Sequence, residues 1–181
     1  MKTAEQSQSP GPRGRNVVLI GMPGSGKSTV GVLLARRSGR GFIDTDLRIQ
    51  QAEGMKLQQV LERRGLDGFR RLEEETLRAL RAERCVIATG GSAVYSDAAM
   101  THLRSLGPVV WLDCGVDTLR RRIGEGGQRG MVRRPGLSLE QLARERRPLY
   151  ERWADLHIDA SAGSAEEVAG EIQKLSGKAE T

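Results

Sequence analysis

The sequence predicts a three-layer α/β fold in which a parallel sheet of about five strands lies between two layers of helices. Three observations carry this expectation. Short apolar runs alternate with helix-period segments along the 181 residues, a glycine-rich loop joins the first apolar run to the first helical pattern, and no internal repeat breaks the series. Runs that are apolar throughout suit strands covered on both faces, as in parallel sheets, better than a sheet with one wet face. A chain of this length fits one domain with a sizeable core.

Residues 1–15 are polar, rich in Pro, Gly and Ser, and lack an apolar signal segment, so they read as a disordered leader. The domain is expected over 16–176, with a short tail at 177–181. NVVLI (16–20) is the first strand, and Val30, Leu33 and Leu34 then start a helix at i, i+3, i+4. GFID (41–44) is the second strand. Phe69, Leu72, Thr76, Leu77 and Leu80 mark a longer helix, and CVIAT (85–89), VVWLD (109–113) and LHIDA (156–160) supply three more strands. Ser138 and Gln141 open a further helix with the spacing of a capping box. Before it, RRRIGEGGQRGMVRRPG (120–136) is rich in Gly and Arg and predicts a mobile lid over about 124–137, able to close cations over a phosphate.

The net charge is +6 and the pI about 9.9, but aromatic residues are only 3% of the chain and none falls in the Gly- and Arg-rich stretch 120–136. Base-stacking recognition of nucleic acid is therefore disfavoured, and phosphorylated small molecules explain the basic balance better. No run approaches the ~18 apolar residues of a membrane span. Cys85 and Cys114 have no partner at metal-ligand spacing, and His102 and His157 stand far apart. A reduced, cytoplasmic protein without a zinc site is expected. The absence of a spare apolar stripe favours a monomer.

The glycine-rich loop is the strongest signal. Gly21, Gly26, Lys27 and Ser28 fill G-x-x-x-x-G-K-[ST], after a strand and before a helix, which is the context that gives this pattern its meaning. Glycines let backbone NH groups turn around an anion, Lys27 adds a charge on the β and γ phosphates, and the Ser28 hydroxyl is placed for Mg²⁺. Gly24, Ser25, Gly26, Lys27, Ser28 and Thr29 are thus expected to hold ATP. No N-K-x-D guanine motif follows, and the chain is short for an ATP-driven motor. A small kinase is the leading class.

The acceptor must be recognised where other strands end, since ligands of open α/β sheets bind beyond the carboxyl ends. FIDTD (42–46) ends the second strand with Asp44 and Asp46. Were the chain extended there, both would leave one face, one toward a metal and one toward an acceptor hydroxyl. A helix N-cap could use one of them. In TGGSAVY (89–95), Gly90 and Gly91 permit close backbone approach to a ligand, or form a plain turn. Asp113, ending VVWLD, is a competing metal candidate or a cap for the next helix.

GMPGSGKSTVG, FIDTD, GFR, TGGS and RRPLYE occur in the order and approximate spacing of the shikimate kinases, which the chain resembles over roughly 16–175. The resemblance implies a P-loop kinase that uses ATP and Mg²⁺ to convert shikimate to shikimate 3-phosphate, a step toward chorismate and the aromatic amino acids. Position by position, it implies that Asp46 contacts the acceptor hydroxyl as the base and that Asp44 joins Ser28 at Mg²⁺. Arg70 and Arg146 would grip the substrate carboxylate, Gly91 would face the substrate, and Arg129 would reach the phosphates from the lid. A planar guanidinium suits a carboxylate bidentately where an ammonium does not. Ser92 stands where the family has a third glycine, and RGMV replaces the lid's RPLL, so the departures touch substrate and closure rather than the P-loop. Kinases of gluconate type or of nucleoside monophosphates, and a non-catalytic ATP-binding regulator, are the other readings.

Overall fold

The structure, a computed structural model, describes residues 16–127, 131–134 and 136–178. Five strands, β1 (Val17–Ile20), β2 (Gly41–Asp44), β3 (Cys85–Ala88), β4 (Val109–Asp113) and β5 (Leu156–Asp159), pair in parallel in the order β2-β3-β1-β4-β5. Within β1, Val17 and Leu19 enter one core while Val18 and Ile20 enter another, as the two-residue period of a strand requires. The first core is closed by Val30 and Leu34 of α1 (Lys27–Ser38) and by Val168 and Ile172 of α7 (Ala165–Lys178). The second lies under α3 (Leu57–Ala79), α4 (Asp97–Leu106) and α6 (Leu139–Trp153). These are the three layers expected from the sequence.

The expectation of strands covered on both faces holds for β1 throughout and for all but one end residue of β3 and of β4, whereas β2 and β5, at the sheet edges, are only partly covered. Asn16 is not in β1. Its amide donates to the carbonyls of Ala82 (2.8 Å) and Leu106 (3.0 Å) and accepts from the Cys85 NH (2.9 Å), so it clamps the strand entrances. The Ser138 hydroxyl and Gln141 side chain cap α6 reciprocally. Phe69 and Leu77 of the predicted stripe are buried in α3, and Leu80 lies just past its end. Together α2 (Thr45–Glu53) and α3 enclose a small satellite core of Ile49, Val60 and Phe69, joined by Val132.

The predicted lid is described only in part. Helix α5 (Val116–Gly127) breaks at Gly124 (φ 61°), Met131 and Val132 are buried, and 128–130 and 135 lie outside the described residues. No described helix is long and apolar enough to cross a membrane.

Candidate functional site

The carboxyl ends of β1, β2 and β3 meet at one edge, and each hands the chain to a polar turn. After β1 the loop turns into α1 through Gly26 at φ 95°, a left-handed conformation natural to glycine. The first turn of α1 holds no acidic residue, which leaves its positive end open to an anion. Lys27 is the first helical residue and is buried, with its ammonium donating to the carbonyls of Gly21 and Met22, both at 2.8 Å. Burial lowers its pKa to about 8 against the opposing pull of Asp46 and Asp44.

The chain is not extended through FIDTD. Asp44 is the N-cap of α2, its Oδ1 accepting from the NH groups of Asp46 (3.0 Å) and Leu47 (3.2 Å), so Asp46 sits in the first helical turn. An aspartate before a helix satisfies otherwise orphaned NH groups, and this local gain outweighs continued strand geometry. The cap leaves Oδ2 of Asp44 free to accept from the Ser28 hydroxyl at 2.8 Å. One carboxylate thus serves the helix and the loop. Asp46 turns inward, and its Oδ1 is buried with no hydrogen-bond partner. Burial first, then the charge of Asp44, raises its pKa to about 6, with Lys27 opposing.

Asp46 and Lys27 line two cavities. One, of about 510 Å³, also includes Gly24, Gly26, Ser28, Thr29 and Asp44. The other, of about 190 Å³, is lined further by Gly90, Gly91, Ser92, Val132 and Arg146. A Cβ on Gly91 would come within 2.8 Å of an Arg146 guanidinium nitrogen, so only glycine lets the backbone approach there. Arg146 is almost wholly buried, donating to the Val132 carbonyl (2.5 Å) and the Tyr95 hydroxyl (3.3 Å). Ser25 faces a third hollow of about 210 Å³ beside the loop, between Thr29, Arg122 and Ala160. Arg122 spans it by donating to the Ala160 carbonyl at 2.9 Å.

Arg70 departs from expectation. Its guanidinium stacks over the Tyr95 ring at 4.1 Å, and it lines a separate hollow of about 250 Å³ with Glu73 and Ser92 rather than the Arg146 cavity. Its Nε is buried without a partner. Arg146 also faces the Tyr95 ring, at 5.3 Å, so one aromatic ring carries both arginines. Asp113 is held by Arg147 (3.1 Å) and His157 (3.1 Å) in an apolar hollow around Trp111, outside the cavity of Ser28 and Asp44. Arg129 lies outside the described residues.

Several residues here escaped the sequence reading. Thr45 accepts the Gly90 NH at 3.2 Å and ties α2 to the end of β3, and the Tyr150 hydroxyl donates to the Gly91 carbonyl at 2.8 Å. Glu73 is buried, accepts from Ser92 at 2.6 Å, and is pushed up to about 7, chiefly by burial. Its only trace in the sequence is a spacing of three from Arg70, which puts both on one helix face. Arg122 had no signal beyond the arginine run.

The sequence model of the shikimate kinase family matches residues 23–176. A shikimate kinase of Synechococcus is 40% identical over 98% of this chain and 93% of its own length, and one of Moorella thermoacetica is 39% identical over 88% and 92%. The solved shikimate kinase of Acinetobacter baumannii, in complex with shikimate, superposes with a TM-score of 0.79 at 33% identity, covering 90% of this chain and 92% of that one. A gluconokinase from Sinorhizobium meliloti matches at 19% identity and a TM-score of 0.56, a likeness of fold alone.

Proposed function

This chain belongs to the shikimate kinase family, and from that premise we propose that it transfers the γ-phosphoryl group of ATP to a hydroxyl of shikimate, giving shikimate 3-phosphate. The observation that supports this division of labour is the position of Asp46, which borders both the P-loop cavity and the cavity of Arg146. A donor phosphate in one and an acceptor hydroxyl in the other would meet at this carboxylate.

The loop residues Gly24, Ser25, Gly26, Lys27, Ser28 and Thr29 hold the phosphates of ATP. Lys27 exchanges its two carbonyl partners for phosphate oxygens, and the start of α1 adds its dipole. Ser28 and Asp44 fit Mg²⁺, because a hydroxyl and a carboxylate oxygen stand side by side and this ion takes most of its ligands from water and phosphate. When bound, the ion neutralises charge on the β and γ phosphates. The hollow at Arg122 has room for the base of the nucleotide.

Arg146 and Arg70 grip the shikimate carboxylate, Arg70 by leaving the Tyr95 ring, while Gly91 offers backbone without a side chain. Asp46 orients the acceptor hydroxyl through the carboxylate it presents to both cavities. As the hydroxyl oxygen bonds to the γ-phosphorus and the bond to the ADP oxygen breaks, the hydroxyl proton passes to Asp46. Arg129, from the lid, meets the charge on the transferring group. ADP release, followed with shikimate, quinate, gluconate and nucleoside monophosphates in parallel, tests the reading. Shikimate alone should support turnover, and turnover with another acceptor only would overturn it.

A further inference from the structure

We propose that Ser92 is a positioning residue of the acceptor site, its hydroxyl holding Glu73 as an oriented carboxylate behind Gly90 so that a negative charge stands beside Asp46. The inference rests on the reading of Asp46 as the group that receives the acceptor's proton.

Ser92 and Glu73 are 3% and 2% exposed, and the Ser92 hydroxyl donates to Oε2 of Glu73 at 2.6 Å. The other oxygen, Oε1, is buried and unpartnered, and so is Oδ1 of Asp46. Both stand near one point. A Cβ on Gly90 would lie 2.4 Å from Oε1 of Glu73 and 2.6 Å from Oδ1 of Asp46. Only a residue without a side chain lets two carboxylates close in on the backbone here. Unsatisfied buried acceptors are rare enough that two in one place call for a role.

Like charges at this separation repel, and burial disfavours both. The groups facing Glu73 are Asp46 from α2, Arg70 from its own helix, and Arg146 and Tyr150 from α6. The two arginines and the Ser92 hydroxyl favour the ionised form, whereas burial and Asp46 oppose it. A glycine at 92 has no hydroxyl to give. Loss of the bond therefore leaves Glu73 protonated to higher pH and its oxygens unfixed. Once neutral, Glu73 no longer steadies the proton that Asp46 takes from the acceptor. The serine that departs from the family's third glycine thus borders the cavity but turns its hydroxyl to Glu73, where it secures the charge behind the site.

The test compares the wild-type chain with Ser92→Ala and Ser92→Gly. Side-chain carboxyl carbons are titrated by NMR without ligand, the Glu73 signal being assigned by its loss in Glu73→Gln, and thermal melting checks that each variant folds. The rate kcat/KM for shikimate is measured over pH about 6 to 9, spanning the expected titration. In both variants the Glu73 midpoint should rise by about half a unit or more, since a lost hydrogen bond no longer favours the charged form. Activity should fall about three- to tenfold at the acid end and converge on wild type at the alkaline end. An unmoved Glu73 midpoint, or a loss equal at every pH, overturns the proposal. Should wild type fail to phosphorylate shikimate, the acceptor assignment falls, and the NMR midpoint alone decides the role of Ser92.

Discussion

The Ser28 hydroxyl donates to Oδ2 of Asp44 at 2.8 Å, while Oδ1 of the same carboxylate caps α2. Asparagine keeps the capping oxygen but loses the charge. Asp44→Asn should therefore melt close to wild type yet need a higher Mg²⁺ concentration for half-maximal rate, which a Mg²⁺ titration of ADP release reads. Asp44→Ala should show the same demand and a further loss of ~1 kcal/mol from the missing cap.

Lys27 fills its buried place with an ammonium that the proposed function puts on the phosphates. Lys27→Met keeps much of the volume without the ammonium, so turnover should drop by ~10² or more while the melting curve stays cooperative. Wild-type turnover in this variant would remove the P-loop from the mechanism.

Asp46→Asn removes the carboxylate to which the proposed function sends the hydroxyl proton. The expected result is a fall in kcat of ~10² to 10⁴ with KM for ATP nearly unchanged. A variant that loses ATP affinity but keeps kcat would place Asp46 on the nucleotide instead.

Tyr95 faces both Arg70 (4.1 Å) and Arg146 (5.3 Å). Arg146→Lys, which cannot hold a carboxylate as a fork, should raise KM for shikimate far more than KM for ATP. Tyr95→Leu should do the same more weakly, by about tenfold or less, because it loosens both arginines without removing either. Equal changes in the two KM values would argue against a carboxylate grip.

Glu73 gives stability a pH dependence of definite sign. Its pKa is raised from 4.5 to about 7 by burial, so between those values the unfolded chain releases a proton that the folded chain keeps. Stability from this group is complete below the unfolded value, falls as pH rises toward the folded one, and then levels. Glu73→Gln cannot ionise, and its melting temperature relative to wild type should climb across that window, by the equivalent of ~1 to 3 kcal/mol. A constant difference would mean that Glu73 does not hold its proton on folding.

Much of this was legible because it is local. The five strands announce themselves as apolar runs, the P-loop as a complete motif, and α6 by Ser138 and Gln141, each within a few residues of chain. The site was legible where a motif carried it. At FIDTD the sequence left an extended run and a helix cap both open, and the cap is what forms, with Asp44 satisfying the start of the helix and Asp46 turning inward.

By itself the sequence determined the three-layer parallel architecture, the phosphate-binding loop and the family, since periodicity and motif spacing report on backbone preferences that hold wherever the segment lies. Tertiary structure alone decided that Glu73 of α3 meets Ser92 beyond β3, that Tyr95 carries Arg70 and Arg146 together, and that Asp46 borders two cavities. These contacts join residues separated by 19 to 51 positions. Their chemistry comes from burial and from charges on other elements, and neither exists until the sheet brings those elements to one edge.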